Sequence, residues 1–277
     1  MINRKSELAR AFWETGKLPC KIYDFHAHMD EHAQIYFPFS NVDDMVRDMD
    51  ANGVEKLFFC GHFALDDPLN GEKYNVSAVK KYPDRLRAYH IIHSRHLDPE
   101  RELREVDTQP DVYAGFKILG DYNAFPIDDP CHDPYYDYLN QTKKLLLVHT
   151  WGGSANNGAE NVAHIAERFP EIRIICGHSF YGKQKEGVAL TKQYPNVYYE
   201  LTAIPIVRGY LEDIVNAAGS ERILFGTDLP WFSTMHGVGM VLGADVTDDD
   251  RLNIFYRNGE RLLAAIGQQS AVDSRQL

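Results

Sequence analysis

The sequence has few cysteines, no basic cluster and no long hydrophobic run. Its four cysteines are dispersed and form no Cys-x-x-Cys pair: Cys20, Cys60, Cys131 and Cys176. That usage is typical of a reduced, cytoplasmic protein. The formal net charge is −11, and the lack of any Lys/Arg-rich segment argues against binding to nucleic acid. No apolar stretch approaches the roughly 20 residues that span a bilayer. Residues 1–16 lack the apolar segment of a signal peptide, so we expect no membrane association.

Eight short apolar segments recur at regular intervals along the 277 residues. Each has the length of a strand, and most are almost continuously apolar, as expected when both faces of a sheet are covered. The predicted strands cover residues 21–25, 56–61, 85–92, 113–119, 144–150, 172–178, 197–202 and 222–228.

Amphipathic segments with apolar residues at helical spacing lie between these strands, most clearly 41–53, 159–170, 207–221 and 248–267. The alternation favours parallel strands joined by right-handed helical crossovers. Eight units favour a closed barrel over an open sheet, and no GxGxxG motif follows the first strand. We therefore predict one α/β domain over residues 1–277, a TIM (β/α)8 barrel. A helix over 6–16 is expected to precede it, and a polar tail, 268–277, is expected to fray.

Histidines and one aspartate stand at the ends of the predicted strands. In a parallel barrel all strands end on one face, which carries the active site. The twelve histidines of the chain are concentrated there beyond chance. The residues at these ends, in chain order, are His26, His28, His62, His93, His149, His178 and Asp228.

The residue types at this face indicate a metal site. Residues two apart on a strand point to the same side, so His26 and His28 can face the barrel mouth together. His149, His178 and Asp228 come from other strands of the same ring and can converge on one point. Imidazoles with one carboxylate suit Zn²⁺ or another first-row divalent metal. Such a metal lowers the pKa of bound water, and an aspartate beside it can take the proton.

The order of these motifs is similar to that of the amidohydrolase superfamily. "DFHAH", "GFK", "VHTW", "CGHS", "LFGTDLPW" and the closing "NIFYRNGERLL" most resemble its amidohydrolase-related (amidohydrolase 2) branch, from about Tyr23 to Leu263. That branch contains both hydrolases and nonoxidative decarboxylases. The resemblance implies a distorted (β/α)8 barrel that binds one or two divalent metals.

The resemblance also implies roles for the residues at the strand ends. His26, His28, His149 and Asp228 would be metal ligands. His178 would be either a ligand of a second metal or an acid/base beside a single one. We expect Asp228 and His178 to be the catalytic residues.

The number of metals depends on Lys117 in "AGFKIL". In two-metal members of the superfamily a lysine on strand four is carbamylated and bridges the ions, which requires a desolvated, neutral amine. In one-metal members of the branch the lysine can stay unmodified and bind a substrate carboxylate. A third alternative is that Lys117 pairs with an inward acid such as Glu200. We favour a single Zn²⁺ ion. The alternatives are two ions in place of one, and Mn²⁺ or Fe²⁺ in place of Zn²⁺.

The residues that bind substrate are harder to predict. Trp151 and Trp231 directly follow strands with predicted ligands, and aromatic side chains in such loops often line pockets. His236 lies in a loop on the same face, and Arg208, beyond strand seven, could meet a carboxylate. The substrate is expected to be a small molecule, and a homodimer is expected from the class.

Three functions compete. The leading hypothesis is a metal-dependent hydrolase, in which activated water attacks a C–O or C–N acyl centre of a lactone, ester or amide while Asp228 moves the proton and His178 assists. The alternative is a lyase that removes CO₂ from an aromatic or unsaturated acid, with His178 or Asp228 protonating the carbon. The third is a barrel that binds metal or ligand without catalysis.

Overall fold

Eight parallel strands form one sheet in which the strand order follows the chain order. The structure is a computed structural model that describes residues 5–204 and 207–264, so the tail 268–277 lies outside the described residues. The strands are β1 (Ile22–Met29), β2 (Val54–Gly61), β3 (Leu86–Ile92), β4 (Tyr113–Ile118), β5 (Leu145–Trp151), β6 (Arg173–Tyr181), β7 (Val197–Glu200) and β8 (Ile223–Leu224).

The sheet closes between β1 and the backbone that follows β8. Phe25 N donates to Phe225 O at 3.0 Å, and Asp228 N donates to His26 O at 2.7 Å. Ala27 and Leu229 form a further parallel bridge. Because β8 itself has only two residues, most of this seam is irregular backbone. The predicted distorted (β/α)8 barrel in a single domain is thereby confirmed.

Helices cover the outside of the barrel, and none of those described is long and apolar enough to cross a membrane. They are α1 (Glu7–Thr15), α2 (Val42–Asn52), α3 (His62–Asp66), α4 (Pro68–Lys81), α5 (Pro99–Thr108), α6 (Gly120–Asn123), α7 (Asp133–Thr142), α8 (Ala159–Arg168), α9 (Gln184–Gln193), α10 (Tyr210–Ala218), α11 (Thr234–Gly243) and α12 (Asp248–Leu252).

The ends of these helices follow from local sequence. The Ser6 side chain accepts a hydrogen bond from Ala9 N and so caps α1, which ends at Gly16 with a left-handed φ of 70°. In α2, the Asn41 side chain caps the start of the helix, and Gly53, with a left-handed φ, ends it. The predicted helix 248–267 is interrupted: α12 passes into a π-helical turn, Asn253–Arg257, before helical residues 258–264.

The closed end of the barrel is filled by side chains from successive strands. Phe25 stacks on Phe58 with ring centroids 4.4 Å apart, and Tyr89, Leu147 and Leu262 belong to the same buried cluster. Fully burying each such side chain stabilises the fold by about 1.5–3 kcal/mol. The opposite end of the barrel, where the strands end, carries the histidines of the HxH motif and Asp228.

Candidate active site

A bulge in β1 brings both histidines of the HxH motif to the barrel interior. Between two successive paired positions, β1 advances by three residues, from Asp24 to Ala27, whereas β2 advances by only two. The extra residue breaks the alternation of side chains. Phe25 can therefore belong to the interior plug while the next residue, His26, also faces inward and contacts Lys117. Strict alternation would have sent one of them outward.

Three buried side chains meet at the mouth. His26 Nε2 and His28 Nε2 lie 3.5 and 3.3 Å from Asp228 Oδ1, and ligand atoms of the three residues all fall within 4.8 Å of one another. Asp228 has a left-handed φ of 62°, a conformation that aspartate adopts more readily than most residues other than glycine. Its Oδ1 is buried without a hydrogen-bond partner among the described residues. An orphaned carboxylate oxygen between two imidazoles fits a divalent metal.

Glu200 orients His26. His26 Nδ1 lies 3.1 Å from Glu200 Oε2, which also accepts from His178 N at 3.2 Å. Glu200 Oε1 accepts from Thr202 N at 2.6 Å and from the Thr202 hydroxyl. With Glu200 ionised, His26 donates its Nδ1–H, and its Nε2 lone pair faces the point where the three candidate ligand atoms converge. Carboxylates orient metal-bound histidines in this way. Burial raises the pKa of Glu200 to about 8, although the hydrogen bonds from Thr202 oppose the shift.

Two glycines make room for this arrangement. A Cβ on Gly177 would lie 2.9 Å from His26 Cε1, and a Cβ on Gly226 would lie 1.9 Å from Glu200 Oε1. Neither distance is compatible with a real side chain. The glycines of "CGHS" and "LFGTD" are therefore required for the close approach of His26 and Glu200.

Asp24 holds the segment that carries Asp228. Asp24 Oδ2 accepts from the Thr227 hydroxyl at 2.6 Å, and Oδ1 accepts from Thr227 N at 3.2 Å and His26 N at 3.1 Å. This side chain is fully buried, which raises its pKa to about 7. It thus joins β1 to the segment that follows β8 at the position where their site residues meet.

Changing Glu200 to Gln should weaken metal binding. Gln keeps the size of the side chain but gives His26 a weaker acceptor, so we expect affinity for Mn²⁺ or Zn²⁺ to fall about 10- to 100-fold. Competition with a chromophoric chelator measures this. Glu14→Gln, on the exposed side of α1, is the matched control and should bind like the unchanged protein. Equal affinity in both variants would contradict the role of Glu200.

Lys117 is the buried cation of the site. Its Nζ lies 3.0 Å from both His26 Nε2 and His28 Nε2, and the side chain is fully buried. Within residues 5–204 and 207–264 no ion pair joins Lys117 to Glu200, since that carboxylate contacts His26 instead. The pairing with Glu200 is therefore not found. The ammonium stands beside both Nε2 lone pairs, which shows that they converge on a position suited to positive charge.

His149 and His178 form a second pair beside the first. His178 Nε2 lies 3.1 Å from His149 Nδ1, and His178 Nδ1 is buried without a partner among the described residues. Three consecutive residues, His178 to Phe180, have left-handed φ values, which turns His178 toward His26 with ring centroids 4.9 Å apart. Neither histidine belongs to the three-residue group of ligand atoms. Ligation by His149 and catalysis by His178 stay predictions.

The imidazoles of the site are neutral at ordinary pH. Burial lowers the pKa of His28 to about 3 and that of His178 to about 4, and it holds the pKa of His26 and His149 well below the usual range. Burial works against the Asp228 carboxylate, but the neighbouring histidines, His26 foremost, keep its pKa well below the usual value. Neutral imidazoles and an ionised carboxylate are the protonation states that bind a metal.

The pH dependence of metal binding should therefore reflect the titration of the Glu200 carboxyl group rather than that of the histidines. A metal on His26 favours ionised Glu200, whose pKa is about 8 without metal. Binding below pH 8 then releases a proton, so affinity should fall as pH falls, by up to about tenfold per unit. Glu200→Gln should abolish this slope between pH 8 and 5.5. A slope that persists in the variant and centres near pH 6.5 would indicate titrating histidines and contradict the assignment.

A cavity of about 220 Å³ opens directly onto these residues. Its walls include the rings of Tyr122, Trp151, Trp231 and Phe232, together with His28, His149, His178 and Asp228. The predicted pocket residues Trp151 and Trp231 thus line it. His236 is exposed and packs against Phe232 outside this cavity, and Arg208 is exposed and does not line it. Substrate contact by either remains a prediction.

His62, one of the histidines expected at the strand ends, forms part of the cavity wall. Its ring stacks between those of His28 and Phe37, at 5.0 Å from each. Trp231 Nε1 donates to His62 Nε2 at 3.1 Å, and His62 Nδ1 donates to Asp30 O at 2.9 Å. Because both ring nitrogens are occupied, His62 can offer a substrate only its ring. It supports His28 and Trp231 rather than binding the metal.

Three further residues of the site were missed by sequence reasoning. Glu200 was considered only as a partner of Lys117, and Asp24 and Tyr122 were not considered. The two acids could have been predicted from the sequence, because each interrupts an otherwise apolar strand. Both side chains are fully buried, where an acid needs polar partners. Tyr122 had no such signal, because it lies in α6, a short helix after β4 whose position depends on the fold.

The profile of the amidohydrolase family matches residues 23–264. The chain belongs to the amidohydrolase family. That family is one of enzymes, and the match confirms the predicted resemblance over the range expected. No curated protein sequence matches this amidohydrolase-family chain significantly.

Solved structures similar to this amidohydrolase-family chain share its fold. A TIM-barrel protein of unknown function from Bordetella bronchiseptica has a TM-score of 0.72 and 19% identity, covering 90% of this chain and 100% of its own. 2,6-Dihydroxybenzoate decarboxylase from Rhizobium has a TM-score of 0.67 and 15% identity, covering 88% and 99%. A 5-carboxyvanillate decarboxylase mutant from Novosphingobium aromaticivorans with bound manganese has a TM-score of 0.69 and 14% identity, covering 88% and 97%.

These structures correct the leading functional hypothesis. Two of the three are named as decarboxylases, whereas the sequence analysis preferred hydrolysis of an acyl centre. The preference for a hydrolase was wrong, because the same histidines and aspartate can serve either reaction and residue types do not distinguish them. The alternative, a lyase, fits the comparisons better.

Proposed function

We propose that this protein is a metal-dependent, nonoxidative decarboxylase of an aromatic hydroxycarboxylic acid. The observation that carries the proposal is the convergence of His26, His28 and Asp228 on a cavity walled by aromatic rings, with Lys117 beneath. Decarboxylases of the same fold act on 2,6-dihydroxybenzoate and 5-carboxyvanillate by their names, which supports this class of substrate.

We propose His26, His28 and Asp228 as the ligands of one divalent metal, with His149 completing the set. Zn²⁺ suits imidazole donors. Manganese is bound in the 5-carboxyvanillate decarboxylase structure and in a dihydroxybenzoic acid decarboxylase from a Polaromonas species, so Mn²⁺ is the first metal to test. Bound there, a divalent ion would stabilise negative charge on the substrate oxygens as a Lewis acid.

The protein itself supplies binding and proton transfer. The cavity is large enough for one substituted ring, since about 150 Å³ already accommodates benzene. The rings of Trp151 and Trp231 would hold the faces or edges of the substrate, and exclusion of water by these walls strengthens every charge interaction inside. Lys117 Nζ lies at the base of the site, where the ammonium can balance the reacting carboxylate.

The Asp228 carboxylate can move the proton with its second oxygen while Oδ1 faces the two histidines of the HxH motif. In the proposed step it takes the proton of a hydroxyl next to the carboxylate and delivers it to the ring carbon that bears CO₂. The bond from that carbon to the carboxylate then breaks, CO₂ leaves, and its electron pair restores the aromatic ring as a phenolate. Solvent protonates the phenolate. His178 is the second candidate for this proton transfer.

Deuterium incorporation tests the proposal. The protein, loaded with one equivalent of Mn²⁺, is incubated with 2,6-dihydroxybenzoate in D₂O, and the product is examined by NMR. Release of CO₂ with one deuterium on the carbon that lost it is the expected result. No CO₂ from 2,6-dihydroxybenzoate, 2-hydroxybenzoate or 5-carboxyvanillate with either Mn²⁺ or Zn²⁺ would overturn the proposed function.

A further inference from the structure

The two histidines of the HxH motif have different partners at their Nδ1 atoms. His26 Nδ1 faces the Glu200 carboxylate, whereas His28 Nδ1 lies 3.4 Å from the sulfur of Cys60. Cys60 on β2 is the residue that pairs with His28 on β1, so the register of these strands places the thiol beside the ring. Both side chains are buried, so the sulfur replaces the water that would meet Nδ1 at an exposed ring.

The contacts of His28 indicate which of its ring nitrogens carries the proton. Lys117 Nζ lies 3.0 Å from His28 Nε2, and because an ammonium group only donates hydrogen bonds, Nε2 is the acceptor. In the neutral ring the proton is then on Nδ1, which donates it to Cys60 Sγ. A metal bound at Nε2 needs this same tautomer, since it takes the lone pair that faces Lys117.

The stacking of His62 on His28 fixes the plane of the ring but not its orientation within that plane. The two ring centroids are 5.0 Å apart, and the planes differ by 7°. A half-turn of the His28 ring would keep this stacking, but it would place Cδ2 against the Cys60 sulfur and Cε1 where Nε2 now stands. The hydrogen bond to Cys60 favours the orientation in which Nε2 faces the other candidate ligands.

We propose that Cys60 is a positioning residue of the metal site, which holds His28 in the orientation and tautomer that bind the metal. The inference rests on the proposed role of His28 as a ligand, and it assigns to Cys60 the part that Glu200 has for His26. A thiol sulfur is a weak acceptor, but it orients the ring without adding another buried carboxylate beside Asp228. Such a carboxylate would be costly to bury.

A second buried cysteine provides the matched control. Cys60→Ala removes the acceptor, Cys60→Ser supplies a hydroxyl in its place, and Cys176→Ala truncates an equally buried cysteine of β6 within the hydrophobic core. We expect affinity for Mn²⁺, measured by competition with a chelator, to fall about tenfold in Cys60→Ala, at the low end for residues that support a ligand. Cys60→Ser should retain most of the affinity, and Cys176→Ala should bind like the unchanged protein. Equal affinity in the two alanine variants would overturn the role of Cys60.

The tautomer of His28 can be observed directly in the Zn²⁺-loaded protein. Long-range proton–nitrogen NMR with isotope-labelled histidine should show a proton on His28 Nδ1 and none on Nε2, with the signals assigned by their loss in His28→Gln. The Nδ1–H resonance should shift in Cys60→Ala and stay in place in Cys176→Ala. A proton on Nε2, or an Nδ1–H resonance that does not respond to Cys60→Ala, would contradict the hydrogen bond on which the inference depends.

Failure of the metal site itself would give a different result. If His28→Gln binds Mn²⁺ as tightly as the unchanged protein, His28 is not a ligand, and the proposed site and this inference both fail. If His28→Gln loses the metal while Cys60→Ala keeps full affinity, the proposed site stands and only the role of Cys60 is overturned.

Discussion

Asp228→Asn should abolish decarboxylation, with kcat lowered by at least about 10³-fold. The side chain keeps its size, and its backbone hydrogen bond to His26 O is unaffected. What is lost is the negative charge and the second carboxylate oxygen, because the amide oxygen can take the place of Oδ1, which faces both histidines of the HxH motif. An amide neither accepts the hydroxyl proton nor returns it to the ring carbon. Single-turnover assays at saturating Mn²⁺ measure the effect.

The controls separate proton transfer from metal loss. Metal content of Asp228→Asn, measured by elemental analysis, should remain near one ion per chain when Mn²⁺ is in excess, because both histidines and the amide oxygen of Asn remain as donors. Asp213→Asn, on the exposed side of α10, should retain full activity. If Asp228→Asn kept activity within tenfold while holding its metal, Asp228 would not be the proton carrier. His178 would then take its place.

Replacing both histidines of the HxH motif by alanine should eliminate the metal and, with it, activity. His26→Ala with His28→Ala removes two of the three side chains whose ligand atoms lie within 4.8 Å, so one aspartate and the more distant His149 remain. We expect affinity for Mn²⁺ to fall at least about 1,000-fold, beyond the 10- to 100-fold loss typical of residues that only support a ligand. Elemental analysis of protein purified without chelator measures the change.

The matched control removes two histidines that lie outside the site. His96→Ala with His164→Ala changes two exposed residues and should leave metal content unchanged. Circular dichroism checks the fold, because truncation of buried His26 leaves a cavity that destabilises the barrel. The single variant His28→Gln, which fills the space without an imidazole, should show the same direction of change. Full metal content in the double variant would refute the site.

The metal count bears on the alternatives for Lys117. Lys117 Nζ stands 3.0 Å from both Nε2 atoms, so even one ion on these atoms requires the side chain to move aside as an unmodified cation. Two ions would in addition require its carbamylation. Elemental analysis of the unchanged protein decides between the two.

The strands were predictable because each is a buried apolar segment, but their ends were not. β1 was predicted over 21–25 and extends to Met29, because its pairing with β2 continues through the polar HxH motif. β8 was predicted over 222–228 and ends at Leu224. The residues that follow turn toward β1, since Asp24 binds Thr227 and Asp228 adopts a left-handed φ.

The sequence by itself determined the barrel, through eight apolar segments that alternate with helices, and the candidate ligands, through histidines and an aspartate at strand ends. Only the tertiary structure decided how these side chains meet. The bulge in β1, the contact of Glu200 with His26 and the turn at Asp228 all depend on strands that are distant in the chain. The hydrophobic pattern of the sequence indicates which residues are buried. The orientation of the site side chains depends on how distant strands pack together, and no local stretch of sequence encodes that packing.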